Sequence, residues 1–163
     1  MITVFYSSQN EIDSLAEAFA DHTLDKAAWT HEAHLTMAVY HLKKFELYEA
    51  TCLLRSGIIS YNLSLGNKNT GSQGYHETIT IGWITVVHFF VTENAESNLL
   101  DTCNAFLASP LADKNLLFHF YEKDELLSAK ARACSLAPEK AAISAVNLRK
   151  ILGGATLLPA SKM

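Results

Sequence analysis

The stretch YHETITIGWITVVHFFVT, residues 75–92, decides how this chain folds. It contains no Asp, Lys or Arg, and Glu77 is its only acidic residue, so whatever it forms is buried on most sides. Its many β-branched residues favour a strand. However, 18 residues are too many for an ordinary strand of roughly 3–10 residues and suit a central helix. The sequence therefore predicts a central helix here, with a buried strand as the alternative.

Three amphipathic segments precede this central element. Ser8 and Glu11 have the spacing of a capping box and open a helix predicted over residues 9–21. Thr30 is a suitable N-cap for a second helix, which we expect to end near residues 43–44. A third helix is predicted over residues 47–65, because its apolar residues keep to one stripe and Gly66 is a natural stop.

Four further elements are predicted after the central one. A helix over residues 99–107 stops before Pro110, and a short element follows over residues 113–121. Residues 124–133 read as another helix, and Pro138 is placed to open a last one that ends at residues 152–154. We predict an all-α, single-domain bundle of about six to eight helices over residues 1–163, with a flexible tail at about residues 154–163.

Composition narrows the classes of function. Of the 163 residues, 49% are hydrophobic and 18% are charged, and the formal net charge is −4 without any run of Lys or Arg. The electrostatic signature of nucleic-acid binding is therefore missing. His88 and several threonines interrupt residues 75–92, so no membrane span is predicted. The N-terminus has no secretory pattern, which predicts a cytoplasmic protein. A homo-oligomer is compatible with the sequence.

Three cysteines, Cys52, Cys103 and Cys134, are widely separated. No Cys-x-x-Cys pair is present, which argues against a disulfide framework and against a structural zinc site. We predict reduced thiols packed in the core.

Two histidine-bearing segments carry the predicted chemistry. His31 and His34 are neighbours at i and i+3, about 60° apart around a helix, so their rings can converge on one point. His76 would lie in the first turn of the central helix. Three neutral imidazoles with an open position are a catalytic metal arrangement, and Glu77 is then the candidate catalytic base or further ligand. The predicted cofactor is a divalent metal: zinc, nickel or iron.

Other polar and aromatic side chains are candidates for binding a small molecule. They include residues beside the polar, glycine-rich loop 66–74, which is long for a connection between helices. Arg55 is also placed to reach Glu77 or to lie in solvent. Core packing and turn formation are the competing interpretations for most of this set. The candidate ligand-binding residues are Trp29, Arg55, Tyr61, Asn62, Asn69, Thr80 and Trp83.

The segments WTHEAHL, residues 29–35, and YHETIT, residues 75–80, with Tyr61-Asn62 between them, resemble a family of small uncharacterised bacterial helical proteins. The resemblance covers most of the chain up to about residue 137. It implies a helical second segment and carries no activity.

Two functional hypotheses follow. The first is a metal-dependent hydrolase or lyase that acts on a small molecule through His31, His34 and His76. The alternative is a non-catalytic module that binds a small anionic ligand or a protein partner, because helix N-termini favour anions and the same histidines can hold one.

Overall fold

The central segment forms a helix in the computed structural model, which describes residues 4–153. Within these residues the chain forms eight α-helices joined by loops and short 3₁₀ turns, and no strand, which confirms the all-α prediction. The helices are α1 Gln9–Ala20, α2 His31–Lys44, α3 Leu47–Ser64, α4 Glu77–Glu93, α5 Leu99–Ala108, α6 Lys123–Leu126, α7 Ala129–Ala133 and α8 Ala145–Ile151.

Helix α4 lies at the centre because it is buried on several sides. It packs against α2, α3, α5 and α7 and against the 3₁₀ turn Leu116–His119. Gly82 permits the last of these contacts, since an added Cβ would lie 3.1 Å from Leu117 Cδ2. The strand alternative is wrong because burial among helices outweighs the β preference of the branched residues.

The N-terminal helices follow their predicted bounds closely. The Thr30 hydroxyl caps α2 by accepting a hydrogen bond from the Ala33 N–H at 3.2 Å. The predicted capping box of α1 is wrong, because Ser8 makes no side-chain cap. Glu11 instead accepts hydrogen bonds from the backbone and hydroxyl of Ser7, so the same acid anchors the chain one residue earlier.

The C-terminal third differs most from the prediction. Residues 113–121 contain only the 3₁₀ turn, and the predicted helix 124–133 is divided into α6 and α7, with Ser128 capping the latter. Pro138 opens no helix, and α8 begins only at Ala145. The intervening segment runs along the core, where Lys140 N–H donates to Phe120 O at 3.0 Å. The predicted tail, residues 154–163, lies outside the described residues.

The cysteines do not share one environment. Cys103 is buried in the core, as predicted, whereas Cys52 and Cys134 are exposed, so the prediction is wrong for these two. Among residues 4–153, no helix is both long enough and apolar enough to cross a membrane.

Candidate functional site

A cavity of about 320 Å³ opens between α2, α3 and α4. Its walls are mostly apolar and are formed by Leu35, Ala38, Leu54, Ile58, Ile79, Trp83 and Ile84. Its polar lining consists of His31, His34 and Thr80. A volume near the lower end of the usual range of about 300–1,000 Å³ suits a small ligand.

His31 and His34 enter the cavity from the first turn of α2, as their spacing predicted. The Nε2 atom of His31 lies 2.9 Å from Ala112 O, and the Nδ1 atom of His34 lies 2.7 Å from Thr30 O. A carbonyl oxygen only accepts, so each of these ring nitrogens must carry the hydrogen. In the neutral rings, His31 Nδ1 and His34 Nε2 are therefore lone-pair acceptors, and the described residues offer them no hydrogen-bond partner.

Aromatic contacts hold both rings in place. The centroid of the His34 ring lies 3.8 Å from that of Trp29, and His31 meets Trp83 edge-on at 5.2 Å. His34 stays accessible to solvent where it lines the cavity, but the protein around the ring desolvates it. This desolvation lowers the pKa of His34, so the neutral form dominates at neutral pH.

His76 does not join the other two histidines. It lies outside the first turn, as the N-cap of α4, where its Nδ1 accepts a hydrogen bond from Ile79 N–H at 3.3 Å. Its Nε2 donates to Leu126 O at 2.9 Å, so both ring nitrogens are used in holding the chain. Burial, followed by the charge of Arg132, lowers the pKa of His76.

The predicted metal set is therefore not assembled by this arrangement. Across residues 4–153, no group of three or more His, Cys, Asp or Glu side chains is placed to hold a metal ion. His31 and His34 are together, but His76 points to a different part of the core. The metal role of the three histidines stays a prediction that this geometry does not support.

Glu77 lies at the centre of a polar cluster beside the cavity. Its carboxylate accepts hydrogen bonds from both Arg55 Nε, at 3.2 Å, and Arg55 Nη2, and a third from the Tyr75 hydroxyl at 2.5 Å. Burial and the bond to Glu77 raise the pKa of Tyr75 to about 12. Glu77 does not line the cavity, and its predicted role as catalytic base stays a prediction. The predicted contact between Arg55 and Glu77 is present.

The remaining candidate ligand-binding residues lie in different parts of the structure. Thr80 and Trp83 line the cavity, whereas Trp29 and Tyr61 lie in the aromatic core around Phe19. The Tyr61 hydroxyl donates to Leu24 O at 3.0 Å.

Asn62 and Asn69 organise the loop that precedes α4. Asn69 Oδ1 accepts hydrogen bonds from Tyr75 N–H at 2.8 Å and from Asn62 Nδ2 at 3.1 Å. Gly74 completes this loop with a φ of +79°, and a Cβ there would lie 2.4 Å from Lys68 O. Both asparagines therefore hold the loop and do not reach the histidine cavity.

Sequence reasoning missed two features of the site. Ala112, whose carbonyl orients His31, is 81 residues away along the chain and gives no local signal. Tyr75 belongs to the YHETIT motif, and its position two residues before Glu77 was the available signal for their contact.

Comparisons with protein-family models, with curated proteins and with solved structures gave no match to this chain.

Proposed function

We propose that the protein binds a small, mostly apolar molecule carrying one acidic hydrogen, such as a carboxylic acid or a phenol. The observation that carries the proposal is the pair of imidazoles, His31 and His34, each fixed by a backbone carbonyl at the wall of an apolar cavity. The apolar walls take the body of the ligand, and the free Nε2 of His34 accepts its hydrogen.

The apolar walls of the cavity limit the charge that a ligand can carry. A multiply charged group would lose its hydration without compensation among Leu35, Ile58 and Ile84. A carboxylic acid needs only one polar contact, and proton transfer to His34 converts that contact into an ion pair. The predicted anionic ligand is thus narrowed to a monoacid with an apolar body.

The test uses hexanoate and its methyl ester as probes, with tryptophan fluorescence as the readout because Trp83 lines the cavity. Hexanoate is expected to bind with uptake of a proton at neutral pH, and the ester, which has no acidic hydrogen, to bind more weakly. His34→Ala removes the nitrogen that takes up the proton and should weaken hexanoate binding about tenfold, equivalent to about 1.4 kcal/mol.

Matched variants separate the cavity from the surface. His119→Ala removes an exposed imidazole on the turn after α5 and should leave binding unchanged. Ala38→Leu fills the cavity and should abolish binding of both probes. Equal affinity for acid and ester, or no effect of His34→Ala, would refute the acid-binding proposal.

A metal-dependent hydrolase or lyase is the second proposal. One observation favours it: both imidazoles donate their other N–H to a backbone carbonyl, which is how metal-bound histidines are commonly oriented. Elemental analysis of protein purified without tag or chelator tests it. Near-stoichiometric zinc, nickel or iron that is lost in both His31→Ala and His34→Ala would support this proposal, and a metal-free protein after reconstitution would reject it.

A further inference from the structure

A second cavity, of about 350 Å³, lies beneath the loop 66–74, away from the two histidines. The loop contributes Asn69, Thr70 and Gly71 to its lining, Tyr75 follows the loop, and Arg132 comes from α7. The glycine-rich loop has no part in the first cavity, so its length and polarity are unexplained by the function proposed above.

Arg132 is anchored on one side and unpaired on the other. Its Nη1 donates to Gly74 O at 2.9 Å and to Tyr75 O at 3.3 Å, which uses both hydrogens of that nitrogen. Its Nε is buried and has no hydrogen-bond partner in residues 4–153. No described carboxylate forms an ion pair with this guanidinium, and its Nη2 is likewise unpaired within the same residues.

This arrangement of Arg132 costs free energy unless a ligand supplies hydrogen-bond acceptors for the unpaired donors. A buried donor without a partner loses its hydration, and the penalty is larger for a charged group. The unpaired Nε and Nη2 are the two parallel donors with which a guanidinium holds a carboxylate or a phosphate in a bidentate manner. The carbonyls of Gly74 and Tyr75 fix the plane of the group, so these donors are oriented before any ligand arrives.

We propose that this second cavity is an oxyanion-binding site, in which Arg132 Nε and Nη2 hold the phosphate or carboxylate group of a small molecule and the Thr70 hydroxyl donates a further hydrogen bond. The loop is rigid enough for this role, since Asn69 ties its ends together and Gly74 closes it. The site differs from the histidine cavity in its ligand: it binds a formal anion at an exposed polar loop.

The experiment measures thermal unfolding of the full chain with inorganic phosphate or acetate as the probe, at constant ionic strength. Wild-type protein should show a saturable rise in melting temperature, because a ligand that binds only the folded state stabilises it. The preferred probe of the two distinguishes a phosphate site from a carboxylate site. In parallel, NMR should record a rise in the pKa of His76, since the anion neutralises the nearby charge of Arg132.

Three variants make the test specific. Arg132→Lys keeps the charge but loses the bidentate geometry and should weaken binding at least tenfold. Ala133→Glu, at an exposed position that lines the cavity, supplies an internal carboxylate and should abolish the probe effect without removing the anchors of Arg132. Arg149→Gln removes a paired surface arginine and should behave as wild type.

The results of these measurements either support the oxyanion site or overturn it. Saturable stabilisation that is lost in Arg132→Lys and in Ala133→Glu, and kept in Arg149→Gln, supports the site. A non-saturable response, or one of equal size in wild type and Ala133→Glu, overturns it. Neither result depends on His31 or His34, so the acid-binding proposal is tested separately.

Discussion

The imidazole of His34 lies against the indole of Trp29, with ring centroids 3.8 Å apart and planes tilted by 34°. Trp29 is itself stacked on Phe19 at 4.6 Å, so the histidine rests on the aromatic core. Thr30 O fixes the edge of the ring while Trp29 fixes its face. His34 is therefore positioned by Trp29 and Thr30, which do not line the cavity themselves.

Replacing Trp29 should release this constraint. In Trp29→Leu, we expect the pKa of His34 to rise toward its usual value near 6.5, because water gains access to the ring and favours the charged form. NMR titration of the histidine ring protons measures it. The pKa of His41, which contacts Tyr40 and Phe45 instead, is the internal control and should stay lowered. An unchanged pKa of His34 would show that other groups desolvate it.

Stability should fall on mild acidification. Burial lowers the pKa of His34, His41 and His76 in the folded protein, so the unfolded chain takes up protons first as the pH drops below about 6.5. The free energy of unfolding should therefore decrease between about pH 7.5 and about pH 5.5, a range above that in which carboxylates titrate. Urea denaturation at these pH values provides the measurement.

The variant His41→Gln provides the control for this pH dependence. It removes one of the three titrations, so its stability should depend less steeply on pH than that of wild type. A protein that gains stability on acidification over this range would contradict the assignment.

The ion pair of Arg55 and Glu77 should contribute measurably to stability. The Glu77 side chain is only 14% exposed, so Arg55→Met leaves a largely buried carboxylate with Tyr75 as its remaining side-chain partner. We expect a loss of about 1–2 kcal/mol, limited because the Arg55 side chain is 40% exposed and is screened by solvent.

A double-mutant cycle with Glu77→Gln isolates the coupling between the two residues. The exposed pair of Lys140 and Glu122, 3.9 Å apart, is the matched control and should give a coupling near zero. In Glu77→Gln, the pKa of Tyr75 should fall from about 12, because the hydrogen bond and the charge of Glu77 both raise it. Equal coupling in the two pairs would contradict the role given to burial.

Gly57 should be required for the packing of α1 on α3. An alanine would favour the helix by about 1 kcal/mol. Its Cβ, however, would lie 2.9 Å from Cε1 of Phe19, whose side chain is only 3% exposed and is stacked on Trp29. Overpacking costs about 1–3 kcal/mol, so Gly57→Ala should lower the free energy of unfolding by about 1 kcal/mol.

Chemical denaturation of two glycine variants tests this claim. Gly71→Ala is the control, because its nearest contact, Ala129 Cβ at 3.5 Å, is ordinary. A stabilised Gly57→Ala variant would mean that Phe19 moves aside freely.

The sequence predicted the first five helices well because their signals are local. Apolar periodicity and the Thr30 cap depend on residues within a turn or two of one another. It was less accurate from residue 113 onward, and it failed after residue 133, because the chain there is held by distant groups. Leu136 N–H donates to the Thr78 hydroxyl at 3.1 Å, and no pattern around Pro138 encodes that bond.

The same difference between local signals and distant contacts explains which residues of the candidate site were predicted correctly. His31 and His34 line one cavity because helical spacing alone brings them together. For His76, α4 begins two residues later than predicted, at Glu77, so a side chain expected in the first turn is the N-cap. Its Nε2 partner, Leu126 O, is 50 residues away along the chain, so only the folded structure identifies it.

The walls of the histidine cavity are not held equally firmly. Seven residues of α4 are buried, whereas α3 buries only Ala50, Leu54 and Tyr61 along its length. Local opening requires less free energy where fewer apolar contacts must separate. We therefore expect α3 to be the moving wall and α4 the fixed one. Substitutions that tighten α3 should slow both the entry and the escape of a ligand while changing its equilibrium affinity little.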